Sequence, residues 1–279
     1  MNIISPPNEK IILLLKYYQD GKIDLAENLA LLISKQFPKH EFSWRVLGAI
    51  FQKKDRKEDA LNANRKALSL SPNDPEILNN LGVTLQGLKK LKDAESSFRK
   101  AILLKKNYTE AHYNLANTLK KLGRLDEAEI SFNDSIRLNP KFILAYNNLG
   151  NTLKELGRLD EAINALTKAI VLKPDYAEAY NNLGSILLHK NMYDKAIKMF
   201  DQSISIYKHS SYRDELISSG YKNKGLAYLA LNQFDESRDN FLKAIKFNKD
   251  TEFAYGLLCF SKLYCADWDK LDYFKKLTI

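Results

Sequence analysis

Proline and glycine recur along this chain on one fixed step. Pro38 and Pro72 stand 34 residues apart, as do Pro140 and Pro174, and Pro72 to Pro140 is twice that distance. Gly48, Gly82, Gly150 and Gly184 keep the step, with Ala116 filling the gap, and Asn80, Asn114, Asn148 and Asn182 repeat it without a break. A period of this length constrains the fold more than any other feature. Each unit is too short to bury an apolar face by itself, so it must stack on its neighbours, and a single central core is excluded.

We number each unit 1 to 34, starting at Glu41. Positions 4, 7, 8 and 11 read Trp44, Leu47, Gly48 and Phe51 in one unit and Tyr146, Leu149, Gly150 and Leu153 in another. Positions 20, 24 and 27 read Ala94, Phe98 and Ala101, then Ala162, Leu166 and Ala169. Both spacings are the apolar stripe of an amphipathic helix. Each unit is therefore two helices joined by a short turn, and the class is all-α. Gly123 and Gly157 at position 15 predict a left-handed stop to the first helix. Asp126, Asp160, Asp194 and Asp235 at position 18 predict N-caps for the second. Small residues at positions 8 and 20 predict a close approach of the two helices.

The register divides the chain. Residues 1–40 hold one divergent unit, 41–210 five regular units, 211–217 an insertion, 218–251 a further unit, and 252–279 degenerate helices. The insertion either lengthens a second helix or bulges as a loop. The chain closes on the apolar Lys276-Leu277-Thr278-Ile279, which reads as an interrupted protein or a last face covered by a partner.

The recurring Trp, Leu-Gly, Tyr, Ala, Phe, Ala and Pro positions resemble the tetratricopeptide repeat, most fully between Glu41 and His209. The resemblance implies a right-handed superhelical solenoid of antiparallel helix pairs, with a concave face lined by the first helices. Positions 2, 5, 6, 9, 12 and 13, left free by the packing stripe, are expected at that face. Position 6 is Asn80, Asn114, Asn148, Asn182 and, past the insertion, Asn223; Asn117 and Asn151 follow at position 9, and Asn79, Asn147 and Asn181 precede at position 5. Asparagine is a mediocre helix former. A carboxamide, however, presents the donor and acceptor that complement a peptide unit. The expected partner is an extended peptide held through its main chain. The alternative role for the same residues is hydrogen bonding between adjacent repeats. No cofactor is expected.

Such a ladder also resembles the N-terminal region of O-linked N-acetylglucosamine transferases, as does the tail Cys265-Ala266-Asp267-Trp268. That resemblance implies a substrate-recognition segment for a glycosyltransferase domain absent from this chain. A third reading is a structural scaffold that self-associates through its terminal unit.

Other classes find little support. Lys and Arg number 43 against 34 Asp and Glu, a net +9, and basic residues cluster near the ends of first helices: Lys89, Lys90 and Lys92, then Lys120, Lys121 and Arg124, then Lys154 and Arg158. Cations at helix C-termini are favourable through the macrodipole. Nucleic acid is not an expected partner, because the groove positions lack aromatic platforms. The clamp that grips a C-terminal carboxylate needs Lys at position 5 with Asn at position 9, and no unit has both. Cys259 and Cys265 have no zinc spacing, and with only two cysteines a reducing, cytoplasmic setting is expected. The early run Ile11–Leu15 is too short to span a bilayer. No nucleophile–base pair is legible; His112 stands where Trp and Tyr stand elsewhere and reads as a packing residue.

Overall fold

The computed structural model describes residues 5–208, 214–248 and Gly256. The described elements are all α-helices, and they fall into two compact units, Met1–Pro140 and Lys141–Ile279. The first unit holds α1 (Asn8–Gln19), α2 (Ile23–Gln36), α3 (Glu41–Lys53), α4 (Lys57–Leu70), α5 (Pro75–Gly87), α6 (Leu91–Leu104), α7 (Thr109–Lys121) and α8 (Leu125–Leu138). The second holds α9 (Ile143–Glu155), α10 (Leu159–Leu172), α11 (Ala177–His189), α12 (Tyr193–Lys208), α13 (Asp214–Ala230) and α14 (Phe234–Phe247). The tail motif, both cysteines and the last helices expected from the sequence lie outside the described residues.

Within each unit, helices pair in sequence order, and each second helix packs on the first helix of the next pair. First helices also touch one another directly: α3 with α5 and α5 with α7, then α9 with α11 and α11 with α13. Among the described residues, second helices make no comparable contact with each other. The first helices therefore form the tighter, inner layer of each stack.

The pairs close because position 8 is glycine or, in Ala116, no larger than alanine where position 24 is large. A Cβ on Gly82, Gly184 or Gly225 would lie 2.6 Å from the ring of Phe98, Phe200 or Phe241, and those phenylalanines are fully buried. Gly150 meets Leu166 in the same way. The alanines at position 20 (Ala60, Ala94, Ala128, Ala162 and Ala196) are all buried to 0% exposure. The expected close approach is present, and position 24 is the partner that enforces it.

Position 15 is left-handed in every described pair. Gly21, Gly123 and Gly157 have φ of 72°, 77° and 78°, and Asp55, Lys89, Asn191 and Asn232 accept φ between 56° and 61° at the same place. The turn geometry is thus set by the repeat, whichever residue occupies it. The expected N-caps differ. The residues flanking α8, α10 and α14 are Arg124, Arg158 and Gln233, none of which makes a side-chain cap. Asp126, Asp160, Asp194 and Asp235 lie inside the first turn, where a carboxylate favours the positive end of the helix without capping it. A side-chain cap does precede α5, where Asp74 accepts from the backbone of Glu76 and Ile77.

Residues 214–217, which the sequence assigns to an insertion, are helical and open α13, which runs to 17 residues; α12 reaches 16. Ile217 and Tyr207 from these extensions are buried with Ile204, Tyr221 and Ala244. The described part of the extra length is helix because it carries apolar residues at the right spacing to pack.

Candidate functional site

The asparagines lie on the inner helices, but three of those at position 6 bond to asparagines of the preceding repeat. In the first unit, Asn114 Nδ2 on α7 donates to Asn79 Oδ1 on α5 at 3.0 Å. In the second, Asn182 Nδ2 on α11 donates to Asn147 Oδ1 on α9 at 2.9 Å, and Asn223 Nδ2 on α13 donates to Asn181 Oδ1 at 3.4 Å. The rule is position 6 to position 5 of the preceding repeat, a separation of 35 residues, or 42 where the chain lengthens. The sequence places position 5 at the groove. The structure instead buries Asn79 and Asn147, at 7% and 5% exposure, so they serve as acceptors inside the packing layer.

The position 6 residues Asn80, Asn114, Asn148, Asn182 and Asn223 are all half-buried, as are Asn117 and Asn151 at position 9. Asn148 Oδ1 accepts from Asn147 at 3.2 Å, and Asn117 Nδ2 donates to the Tyr113 carbonyl at 3.0 Å. Position 6 is held from behind as well. Thr84, Thr118 and Thr152 at position 10 donate to the carbonyls of Asn80, Asn114 and Asn148 at 2.8–3.0 Å, and Gln86 donates across to Thr118 Oγ1 at 2.9 Å. All three threonines are buried. Periodicity alone did not single them out, although the threonine column keeps the same 34-residue step as the asparagines.

Ion pairs bind successive repeats on another side. Glu27 takes Lys54 and Arg56 at 2.5 and 2.6 Å, and Glu95 takes Arg124 at 2.7 Å. Arg56, Arg124 and Arg158 at position 16 also pair with Asp59, Glu127 and Glu161 at position 19. Hydrogen bonds from Lys54 and then Arg56 outweigh burial and hold Glu27 below the usual carboxylate range; Arg124 and Arg158 do the same for Glu127 and Glu161. Two members of the basic clusters read from the sequence, Arg124 and Arg158, are consequently neutralised within the molecule.

His112 is 8% exposed and its Nε2 lies 3.1 Å from the Lys106 carbonyl, matching Trp44, whose Nε1 donates to the Pro38 carbonyl six residues back at 3.0 Å. Among the described residues there is no group of three or more His, Cys, Asp or Glu that could hold a metal, and no helix long and apolar enough to cross a membrane.

With this geometry in place, comparison with known families is direct. Residues 175–250, 109–142, 63–96 and 131–164 match tetratricopeptide repeat families, and residues 150–191 match a family described as TPR repeat. The units are tetratricopeptide repeats. Among solved structures, the array is similar to PilW, a widely conserved type IV pilus biogenesis factor, at 25% identity and TM-score 0.68, over 73% of this chain and 94% of PilW. MamA is 28% identical with TM-score 0.55, over 60% of this chain and 98% of MamA. A tetratricopeptide repeat protein from Parabacteroides merdae aligns over 91% of this chain and 98% of its own at 19% identity and TM-score 0.66, a likeness of fold. Comparison with functionally curated proteins gives no match. Tetratricopeptide-repeat proteins mediate protein interactions, and nothing in these matches brings in a catalytic domain.

Proposed function

We propose that the chain is a non-catalytic module that binds an extended peptide along its inner helices, using the position 6 asparagines of each compact unit. The observation that carries this reading is the anchoring of Asn114 and Asn182. Each spends one amide hydrogen on the preceding repeat and stays half-buried. A carboxamide has a second hydrogen and a carbonyl to offer. A side chain already fixed loses less entropy when it takes up a partner. Asn80, Asn148 and Asn223, with Asn117 and Asn151 beside the row, would extend the contact within their own units. Recognition of main-chain amides tolerates many partner sequences.

The same bonds stabilise stacking, so the test must separate the two roles. A panel of unrelated neutral twelve-residue peptides, each labelled with fluorescein, is titrated with the full chain. The Asn114→Ala/Asn182→Ala variant is expected to weaken the whole panel by tenfold or more. Unchanged affinities with a lowered melting temperature would assign the asparagines to stacking alone. The transferase-linked reading rests on the asparagine ladder and the tail motif and predicts, as this one does, that the isolated chain binds no sugar nucleotide; a downstream glycosyltransferase domain in the reading frame would favour it.

A further inference from the structure

The repeating charge pattern is broken at all three of its positions between α10 and α12, in the second unit. Position 19 is acidic in Asp59, Asp93, Glu127, Glu161 and Glu236, and is Lys195 on α12. Position 16, a cation in Arg56, Lys90, Arg124 and Arg158, is Met192 just before α12. Position 21, a glutamate in Glu27, Glu95 and Glu129, is Ile163 on α10. The carboxylate clasps that join repeats elsewhere therefore have no counterpart at these positions of α10 and α12. What remains there is the Lys190 to Asp160 pair.

A surface groove of about 450 Å³ occupies this place. Its apolar lining comes from Ile163, Leu183, Leu187, Met192 and Met199; Lys190, Lys195 and Lys198 stand around it, with one acid, Asp160, which is paired with Lys190. Lys195 and Lys198 are exposed and have no ion-pair partner among the described residues, while Met192, Met199 and Ile163 are half-exposed. Methionine adapts its shape to varied apolar partners. On α11, Leu183 and Leu187 share one face four residues apart; Asn182 and Ser185 lie round the helix from them. The groove is thus separate from the asparagine row.

We propose that this groove docks a protein segment carrying one or two large apolar side chains flanked by carboxylates. Charge complementarity selects that occupant. Two lysines without acidic partners flank an apolar floor, and one of them, Lys195, stands where five other units carry an acid. An apolar anchor fills the floor and releases water from Met192, Met199 and Ile163. Aspartate or glutamate on either side meets Lys195 and Lys198, which supplies orientation and a salt-dependent encounter.

The test is selection of a random twelve-residue phage-displayed peptide library on the full chain. Recovered peptides are synthesised and titrated against the wild type and two variants. Peptides with Leu, Ile, Met or Phe flanked by Asp or Glu are expected. Their affinity should fall at least tenfold in Lys195→Glu/Lys198→Glu and by a smaller factor in Lys195→Gln/Lys198→Gln, with melting temperatures held within a few degrees. The Asn114→Ala/Asn182→Ala variant should bind them like the wild type, which keeps this site's outcome apart from that of the asparagine row. A selection that enriches nothing, peptides lacking acidic flanks, or affinities indifferent to the lysine changes would each overturn the proposal. So would tighter, lysine-dependent binding of a twelve-nucleotide oligouridine, which would assign the lysines to phosphate.

Discussion

Seven residues at position 15 adopt one conformation, and only three of them are glycine. A side chain in the left-handed region costs about 1–2 kcal/mol, of which glycine's larger unfolded-state entropy takes back part. Lys89, at φ 61°, is therefore a site where glycine should help. Lys89→Gly is expected to raise the free energy of unfolding by about 0.5–1 kcal/mol, and Gly123→Ala to lower it by a similar amount; urea titration measures both. A second residue-scale anomaly is Asn64. It occupies position 24, where the later units carry Phe98, Phe132, Leu166, Phe200 and Phe241, and it is fully buried. Its Nδ2 donates to Thr84 Oγ1 at 2.9 Å, but its Oδ1 is buried without a partner. An unsatisfied buried acceptor costs about 1–3 kcal/mol. Asn64→Leu, which would repeat the packing of Leu166 against Gly150, should stabilise the protein by about 1 kcal/mol or more; a fall in the unfolding midpoint would show that the Thr84 bond matters more than the orphaned oxygen.

At the scale of the helix pair, the clasp around Glu27 carries a pH dependence. Lys54 and Arg56 lower its folded pKa relative to the unfolded chain. A carboxylate depressed on folding contributes its full stability above the unfolded pKa, about 4.3, and loses it as pH falls through the folded value. Glu27→Gln should therefore be less stable than the wild type at pH 7, and the gap should close as pH drops below about 4.3. Urea midpoints at pH 7, 4.5 and 3 check this; a gap that persists at pH 3 would mean that packing, not charge, is what the substitution removed. The same scale explains the aspartates at position 18. An acid before an apolar stripe is a capping signal, and they carry it. The structure starts the helix two residues earlier, since the left-handed residue at position 15 fixes where the next helix can begin.

Within each compact unit, among the described residues, the contact pattern is one-dimensional: helices touch their near neighbours in sequence and little else. In such arrays the ends are held from one side only and open most easily. Ile12 on α1 and Leu25 and Leu32 on α2 are 65%, 49% and 46% exposed, and α1 buries only Leu14 among its described residues. Amide exchange in α1 is expected to be at least about a hundredfold faster than in α5, which is packed on both sides. Equal protection of the two helices would contradict nearest-neighbour stacking and point to a single cooperative block.

What could be read from the letters alone was everything that repeats locally. The helix pair, the turn at Gly123 and Gly157, the small residue at position 8 and the all-α class follow from spacings of three, four and 34 residues. Helical geometry turns such spacings into faces without reference to the rest of the fold. Tertiary structure decided what those spacings leave open. It made Asn79 and Asn147 buried acceptors for Asn114 and Asn182, put Thr84, Thr118 and Thr152 behind the row, and paired Arg124 with Glu95 across repeats. It also turned three departures from the pattern, at Ile163, Met192 and Lys195, into a single lysine-flanked groove. A hydrogen bond needs its atoms placed to a few tenths of an ångström. Between helices that placement depends on their distance and crossing angle, which periodicity does not encode.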